Sequence, residues 1–316
     1  MTASLLAIAA FAAGTAIPRR PAPLLVDLAK RVAPSSVAIP HASAERAVPA
    51  LRVAFATMIS PRETRSVYGR LAGYLAVRTG RRAEIVQRGS YAEVNRLLDG
   101  DLLSLAFICS GAYPEAHDVY GARPLASPVV GGSRTYRSCV LVPREHPARS
   151  VRDLAGLRLA LVDRESLTGR LYLLSRFLEL GIPENDAMRQ VSWTHSHDRS
   201  IRLVARGVVD AAAVDSLVWL HLAGDHPELT RTVRVLEYSG DFPAPPLVIP
   251  RNCDPALETR LRQALLAMHQ DDAGRPILAS LGIDRFEPVF NYDFDAVRRL
   301  QRRVLDEAPL VTRGVR

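Results

Sequence analysis

The chain has 316 residues, of which 48% are hydrophobic and 23% charged, a balance typical of a folded globular protein and too apolar for a disordered one. Its formal net charge is +8, yet the basic residues are scattered among acidic ones, and all of them except Lys30 are arginine. A nucleic-acid-binding face needs clustered basic charge. We therefore predict a folded protein without a nucleic-acid partner.

The first 50 residues combine an apolar run with a segment rich in proline, alanine and serine. The run ASLLAIAAFAAGTAI, residues 3–17, has signal-peptide length and is too short for a membrane span. No lysine or arginine precedes it, although a signal normally begins with a charged segment. We predict export to the periplasm with an atypical signal, and interpret residues 1–50 as an apolar segment plus linker, or as an incorrectly assigned start.

From residue 51 the pattern predicts alternating strands and helices. LRVAFAT is typical of a buried strand, and Ser60-Pro61-Arg62-Glu63 predicts a helix start that runs to Gly80. AEIVQR is the next predicted strand, Ser90-Tyr91-Ala92-Glu93 starts a second helix, and LLSLAFIC is a third strand. This strand-helix order predicts a parallel α/β sheet.

A second α/β series begins near Tyr136. Its predicted strands are RSCVLV, LRLALVD, MRQVSWT and AAAVD, with helices after Thr168, from Asp198 to about Gly207, and from Ser216. The later strand LVIP is followed by three helices that have no sheet of their own, so the chain is expected to return to the first unit. We predict two lobes joined by two crossovers, with residues 51–134 plus 241–316 in lobe 1 and residues 135–240 in lobe 2. Small ligands usually bind in such a cleft.

Three strand ends of the second series carry polar residues: Ser166-Leu167-Thr168-Gly169, His195-Ser196-His197-Asp198 and Asp215-Ser216. Strand ends of this kind converge on the cleft, and helix N-termini present free N–H groups that hold small oxyanions. Helix capping alone would explain any one of the three ends. All three together favour an anion site. Tyr91 and Ser110 occupy the matching positions of the first series, although spacing alone favours simple surface packing for Tyr91.

Three other interpretations of the same segments are a hydrolytic triad, a nucleotide phosphate loop and a metal site. Ser166, His197 and Asp215 have the residue types of a hydrolytic triad, but the chain has no G-x-S-x-G elbow. A nucleotide phosphate loop is less favoured still, because Gly169 is followed by Arg170 and the sequence contains no G-K-[ST]. His195 and His197 would share a face if they lay on a strand, which keeps a metal site as a minor alternative. We predict no metal and no cofactor.

The chain contains three cysteines, which lack the close spacing of metal ligands. They are Cys109, Cys139 and Cys253. Cys109 and Cys139 fall in apolar runs that are typical of strands. We interpret them as buried, unpaired thiols.

Five segments together resemble the phosphate, phosphite and phosphonate solute receptors of ABC importers. They are SPRETRSVYGRLAGYLAVRTG, SYAEVNRLLDGDLLSLAF, TYRSCVLVPREHPARSVRDLAG, LALVDRESLTGR and SHDRSIRLVARGVVDAAAVDS. The resemblance covers about residues 51 to 290 and rests on the order and spacing of the segments. It implies the two-lobed type II periplasmic-binding-protein fold, with a mostly parallel sheet flanked by helices in each lobe. It also implies a small oxyanion as ligand and an inner-membrane ABC permease as partner.

The resemblance also assigns ligand contacts. The family's hydroxyl-rich turn matches Ser166, Thr168 and Gly169, with Leu167 in place of a hydroxyl residue. The remaining matches to the family's pattern are Tyr91, Tyr136, Ser138, His197 and Asp215. Cys109 replaces a family glycine beside Ser110, so contacts from the first lobe are expected to differ.

These expectations define a non-catalytic, monomeric solute-binding protein for a phosphonate, phosphite or phosphate-like anion. Within binding proteins, the alternative is a sensor module that reports its ligand to a signalling protein. From another class, the alternative is a serine hydrolase that uses Ser166, His197 and Asp215.

Overall fold

The structure is a computed structural model that describes residues 49–55 and 61–307. The apolar run and almost all of the predicted linker therefore lie outside the described residues, as does the predicted cap at Ser60. Within the described ranges, the helices are too short or too polar to cross a membrane.

The strands are short and interleaved with helices along the whole chain. They are β1 (Ala50–Phe55), β2 (Arg82–Val86), β3 (Leu105–Phe107), β4 (Arg123–Val129), β5 (Thr135–Tyr136), β6 (Ser138–Pro143), β7 (Leu157–Leu161), β8 (Met188–Trp193), β9 (Ala211–Asp215), β10 (Val233–Tyr238), β11 (Phe242–Pro243), β12 (Leu247–Ile249) and β13 (Arg285–Glu287).

The helices are α1 (Pro61–Thr79), α2 (Tyr91–Asp99), α3 (Tyr113–Asp118), α4 (Tyr172–Glu179), α5 (Glu184–Ala187), α6 (His197–Ala205), α7 (Ser216–Asp225), α8 (Pro227–Thr232), α9 (Pro255–Leu266), α10 (Arg275–Leu281) and α11 (Asp295–Glu307). Short 3-10 turns cover Val151–Leu154, Met268–Gln270 and Asn291–Phe294, and a π-helical turn covers Leu167–Leu171.

Two sheets form the centres of two lobes. The first lobe is built on a six-stranded sheet of order β13-β4-β12-β3-β1-β2, and the second on a five-stranded sheet of order β10-β6-β9-β7-β8. In the first sheet, β1 to β4 point one way and β12 and β13 the other. In the second, β6 alone opposes the other four strands. Each sheet is therefore mostly, but not wholly, composed of strands that run in one direction.

The chain passes between the sheets along a small antiparallel ribbon. There β5 pairs with β11, so that Tyr136 lies opposite Phe242. The ribbon joins the outgoing and returning passes of the chain. The residue boundaries proposed above for the lobes stay a prediction.

Local sequence signals explain the elements that were predicted. At α2, Ser90 Oγ accepts the Glu93 N–H at 3.3 Å and the Glu93 carboxylate accepts the Ser90 N–H at 3.0 Å, which completes the predicted capping box. β4 was not predicted, because Pro124 and Pro128 are unfavourable in strands. The prediction that Cys109 lies within a strand was wrong, since β3 ends at Phe107.

Buried apolar residues of the two lobes pack into a common cluster. It contains Tyr91 and Ala106 from the first lobe and Leu161 and Leu171 from the second. The last helix, α11, contributes Val297 and Val304 to the same cluster and packs against α4. The two lobes are therefore in close contact, with the strand ends that carry the predicted site enclosed between them.

Candidate anion-binding site

The turn after β7 is shaped by Ser166 and Gly169. Ser166 is fully buried, and its Oγ accepts the Gly169 N–H at 3.0 Å, so this hydroxyl caps the π-helical turn. A Cβ at position 169 would lie 2.6 Å from Val162 Cγ2 and 2.7 Å from Ser166 Oγ, and only glycine fits there. The regular helix predicted after Thr168 begins four residues later, at Tyr172. Short π-helical turns of this kind occur often at functional sites.

Thr168 is the residue of this turn whose side chain has no partner. It is fully buried, and its Oγ1 makes no hydrogen bond with any described residue. Its carbonyl accepts a hydrogen bond from Ser138 Oγ at 2.7 Å. Ser138 thus fixes the backbone of Thr168 and leaves the Thr168 hydroxyl as a donor for something else.

Two tyrosine hydroxyls are also buried without a hydrogen-bond partner among the described residues. Tyr91 and Tyr136 are buried, and within the described ranges their hydroxyls have no hydrogen-bond partner. Burial raises the pKa of both phenols well above the usual value, so both stay protonated. The side chains of Ser110 and Thr168 lie close enough to the Tyr136 hydroxyl to offset part of the rise in its pKa, although no hydrogen bond of normal geometry forms. Three neutral donors from both lobes therefore converge, and leaving each unpaired costs about 1–3 kcal/mol.

His197, the first residue of α6, has a neutral ring that contacts the backbone of Asp215. Its ring is 1% exposed, and burial lowers its pKa to about 3, so the ring is neutral. Its Nδ1 accepts the backbone N–H of Asp215 at 3.1 Å, which puts the ring proton on Nε2. A neutral histidine with a fixed Nε2–H can donate to an anion without being charged.

The minor metal alternative rested on a wrong premise. β8 ends at Trp193, so His195 and His197 do not lie on a strand. His195 is exposed with a φ of 53°, while His197 is buried in α6. Among the described residues, no group of three His, Cys, Asp or Glu side chains is placed to hold a metal ion.

Asp215 ends β9 and caps α7. Its Oδ1 accepts the N–H groups of Leu217 at 2.7 Å and Val218 at 3.3 Å. The residue is 2% exposed, and burial raises its pKa to about 7 although both amides act to lower it. Near neutral pH the site therefore contains a carboxyl that is close to its titration midpoint.

Replacing Asp215 with asparagine tests this titration. Between about pH 4 and about pH 7 the folded chain keeps a proton that the unfolded chain has lost, so the wild type loses stability as the pH rises. Asparagine can accept the same two amide hydrogen bonds and does not titrate. We expect Asp215→Asn to gain about 4 kcal/mol relative to wild type between about pH 4 and about pH 8, measured by denaturant unfolding. Parallel pH profiles for the two proteins would contradict the raised pKa.

The three residues of the hydrolase alternative do not have triad geometry. A triad needs the histidine Nδ1–H to donate to the carboxylate and Nε2 to accept from the serine. Here His197 Nδ1 is an acceptor, and the Asp215 carboxylate is held by the amides of α7. Ser166 Oγ caps its own turn. The arrangement suits donation to an anion and not activation of a serine.

Ser110 and Cys109 lie beside these donors. Ser110 Oγ donates to the Pro243 carbonyl at 2.7 Å, so its proton is committed within the protein. Burial raises the pKa of the Cys109 thiol to about 11, although the amides of Leu167 and Gly111 act to lower it. The thiol is therefore neutral at physiological pH. Cys109, Cys139 and Cys253 are all buried and free of disulfides.

Two residues that join the lobes at this site, Asp163 and Gly111, were not predicted from the sequence. The Asp163 carboxylate accepts the backbone N–H of Tyr91 at 3.4 Å. Gly111 packs so closely on the second lobe that a Cβ there would lie 2.1 Å from the Glu165 carbonyl oxygen. Asp163 is the last residue of the predicted strand LRLALVD, and a polar residue at a strand end was a usable signal. The role of Gly111 depends on contact between lobes, which the local sequence does not show.

Comparison with solved structures gives the fold class. A Pseudomonas aeruginosa protein, described as a binding protein component of an ABC phosphonate transporter, superposes with a TM-score of 0.75 at 20% identity, covering 81% of this chain and 87% of that one. PhnD1 from Prochlorococcus marinus, solved in complex with methylphosphonate, gives a TM-score of 0.74 at 16% identity, covering 81% and 98% of the two chains. The chain has the two-lobed type II periplasmic-binding-protein fold, as predicted.

Sequence comparison gives the family. Residues 53–294 match the family described as ABC transporter, phosphonate, periplasmic substrate-binding protein, and the chain belongs to this family. The resemblance drawn from the sequence is thereby confirmed. Phosphate-import protein PhnD from Mycolicibacterium smegmatis is 30% identical over 168 residues. That match spans 49% of this chain and 52% of the relative, so the chain matches about half of the relative's length.

Proposed function

We propose that this protein captures a small phosphorus oxyanion, a phosphonate, phosphite or phosphate-like ion, between its lobes and delivers it to an ABC permease. The observation that carries the proposal is a group of three buried hydroxyls with no partner among the described residues, those of Tyr91, Tyr136 and Thr168, in which Tyr136 is close enough to interact with the other two. An oxyanion would accept from all three at once, and hydrogen bonds to a charged acceptor are about twice as strong as neutral ones.

The proposed site uses its residues in different ways. Tyr91, Tyr136, Thr168 and the Nε2–H of His197 are direct donors. Ser166 and Gly169 shape the turn that presents the backbone to the ligand. Asp215 orients His197 through its backbone N–H and lies at the edge of the site. Ser110, whose proton is donated to a carbonyl, borders the site as an acceptor.

Relatives support the ligand class. PhnD1 of Prochlorococcus marinus was solved with methylphosphonate, and the Mycolicibacterium smegmatis relative is named for phosphate import. By analogy we propose a monomeric, non-catalytic protein of the periplasm that works without a cofactor. The triad residues lack the geometry for hydrolysis, which favours binding over catalysis.

A thermal-shift measurement on the full chain tests the proposal. A ligand that binds only the folded state stabilises it by about 2.7 kcal/mol at a hundred times its Kd. We expect at least one of phosphate, phosphite, methylphosphonate and 2-aminoethylphosphonate to raise Tm by several degrees, with acetate inactive. His197→Ala should remove the shift while keeping a cooperative unfolding transition. No shift from any phosphorus anion, or an equal shift in His197→Ala, would refute the proposal or the site.

A further inference from the structure

An apolar cavity of about 240 Å³ adjoins the anion-binding site between the two lobes. Its walls come from both lobes and are formed mainly by aliphatic and aromatic side chains. Those that matter here are Tyr68, Phe107, Val130, Leu217, Val218 and Ile283. Among its described lining residues, the groups that titrate are Tyr68, Asp215 and His221, and His221 is an exposed residue that lies 3.5 Å from Asp225.

Asp215 connects this cavity to the anion-binding site. It lines the cavity, and its backbone N–H holds His197. Burial raises the pKa of Tyr136 in the site and of Tyr68 on the cavity wall, and the charge of Asp215 adds to both rises, so both phenols lie near Asp215. Asp215 is therefore the residue that the cavity and the site share, since it lines the cavity while its backbone N–H contacts His197.

We propose that the cavity receives an apolar organic substituent of the bound anion, so that the preferred ligand is an alkyl- or arylphosphonate and not inorganic phosphate. This inference rests on the proposed function. A cavity of roughly 150 Å³ is already large enough for benzene, so 240 Å³ accommodates a chain of several carbons or a ring. Apolar walls favour a hydrocarbon substituent, and below about pH 7, where the Asp215 carboxyl keeps its proton because its pKa is raised to about 7, they offer an ammonium group no carboxylate partner.

A calorimetric series on the full chain tests the inference. Each methylene that leaves water should tighten binding roughly fourfold. From methylphosphonate to n-butylphosphonate we therefore expect about a fiftyfold gain in affinity. n-Propylphosphonate and 2-aminoethylphosphonate have the same length and differ in one terminal group, and we expect the propyl compound to bind more tightly.

The outcomes separate the two proposals. Binding of methylphosphonate or phosphate without any gain for longer alkyl groups, or tighter binding of 2-aminoethylphosphonate than of the propyl compound, would overturn the apolar subsite and leave the proposed function standing. Absence of binding by every phosphorus anion would overturn the proposed function and this inference with it.

A cavity-filling variant locates the subsite. Val130→Phe adds a ring to the cavity wall in the first lobe, and it should reduce the affinity for n-butylphosphonate to that for methylphosphonate, which stays unchanged. The matched control is Val77→Phe, at an α1 position that is 80% exposed, where neither affinity should change. If Val130→Phe does not fold, Val218→Phe fills the same cavity from the second lobe. An undiminished preference for the butyl compound in a folded variant would overturn the assignment.

Discussion

Replacing Thr168 with valine is expected to weaken phosphorus-oxyanion binding by roughly ten- to a hundredfold while the fold stays intact. The Thr168 hydroxyl is fully buried without a partner among the described residues, so in the ligand-free protein it contributes a desolvation cost and no hydrogen bond. Valine has nearly the same shape and lacks the donor. Calorimetry should therefore show the loss of affinity, and thermal unfolding of the ligand-free variant should show equal or higher stability.

Thr79→Val is the matched control. Thr79 is also buried, but its Oγ1 donates to the Leu75 carbonyl at 2.8 Å, within α1. This exchange should leave affinity unchanged, because Thr79 lies outside the site. Wild-type affinity in Thr168→Val would remove Thr168 from the list of ligand donors.

Replacing Gly111 with alanine is expected to lower ligand affinity at least about a hundredfold by holding the lobes apart. The added Cβ would lie 2.1 Å from the Glu165 carbonyl oxygen and 2.7 Å from the Leu167 nitrogen, and both atoms are backbone of the second lobe. Backbone atoms cannot turn aside as a flexible side chain can, so the contact must open. Gly111 does not have a positive φ, so alanine itself is not strained there and each lobe should fold normally.

Scattering and calorimetry together measure this effect. Ligand should make the wild type more compact, whereas Gly111→Ala should keep the same radius of gyration with and without ligand. Gly73→Ala is the control, because a Cβ at that α1 position meets no atom within 4 Å. Compaction and tight binding in Gly111→Ala would mean that the observed contact between lobes is not needed for capture.

Much of the fold could be predicted because its signals are local. The capping box of Ser90 and Glu93 predicts the start of α2 from four consecutive residues. The apolar runs before Asp163 and Asp215 are strands. The three polar strand ends were found in the same way, since the ends of parallel strands meet at one edge of a sheet. The strand β4 was not predicted because its prolines are atypical of strands. It is stabilised by pairing with β12 and β13, which the local sequence does not show.

The roles of individual site residues could not be predicted, because they depend on contacts between distant parts of the chain. The Ser110 hydroxyl donates to the Pro243 carbonyl, 133 residues away. Its proton is therefore already used within the protein, although the sequence pattern suggests a free donor. The ring proton of His197 is placed by the backbone of Asp215. The sequence identifies the residue types at the cleft. Only the tertiary contacts determine which of their O–H and N–H groups can still donate a hydrogen bond to a ligand.

The position of α11 bears on how far the cleft opens. Near its start Arg298 pairs with Asp118 of the first lobe at 2.8 Å, and near its end Arg303 pairs with Glu179 of the second at 3.3 Å. The helix is thus a third connection beside the two covalent crossovers. The exposed pair with Glu179 contributes about 1 kcal/mol or less. Because α11 also packs against α4 through the shared apolar cluster, it restricts the relative orientations of the two lobes more than this ion pair alone would. A narrower range of orientations means that less conformational entropy is lost when the lobes close on a ligand.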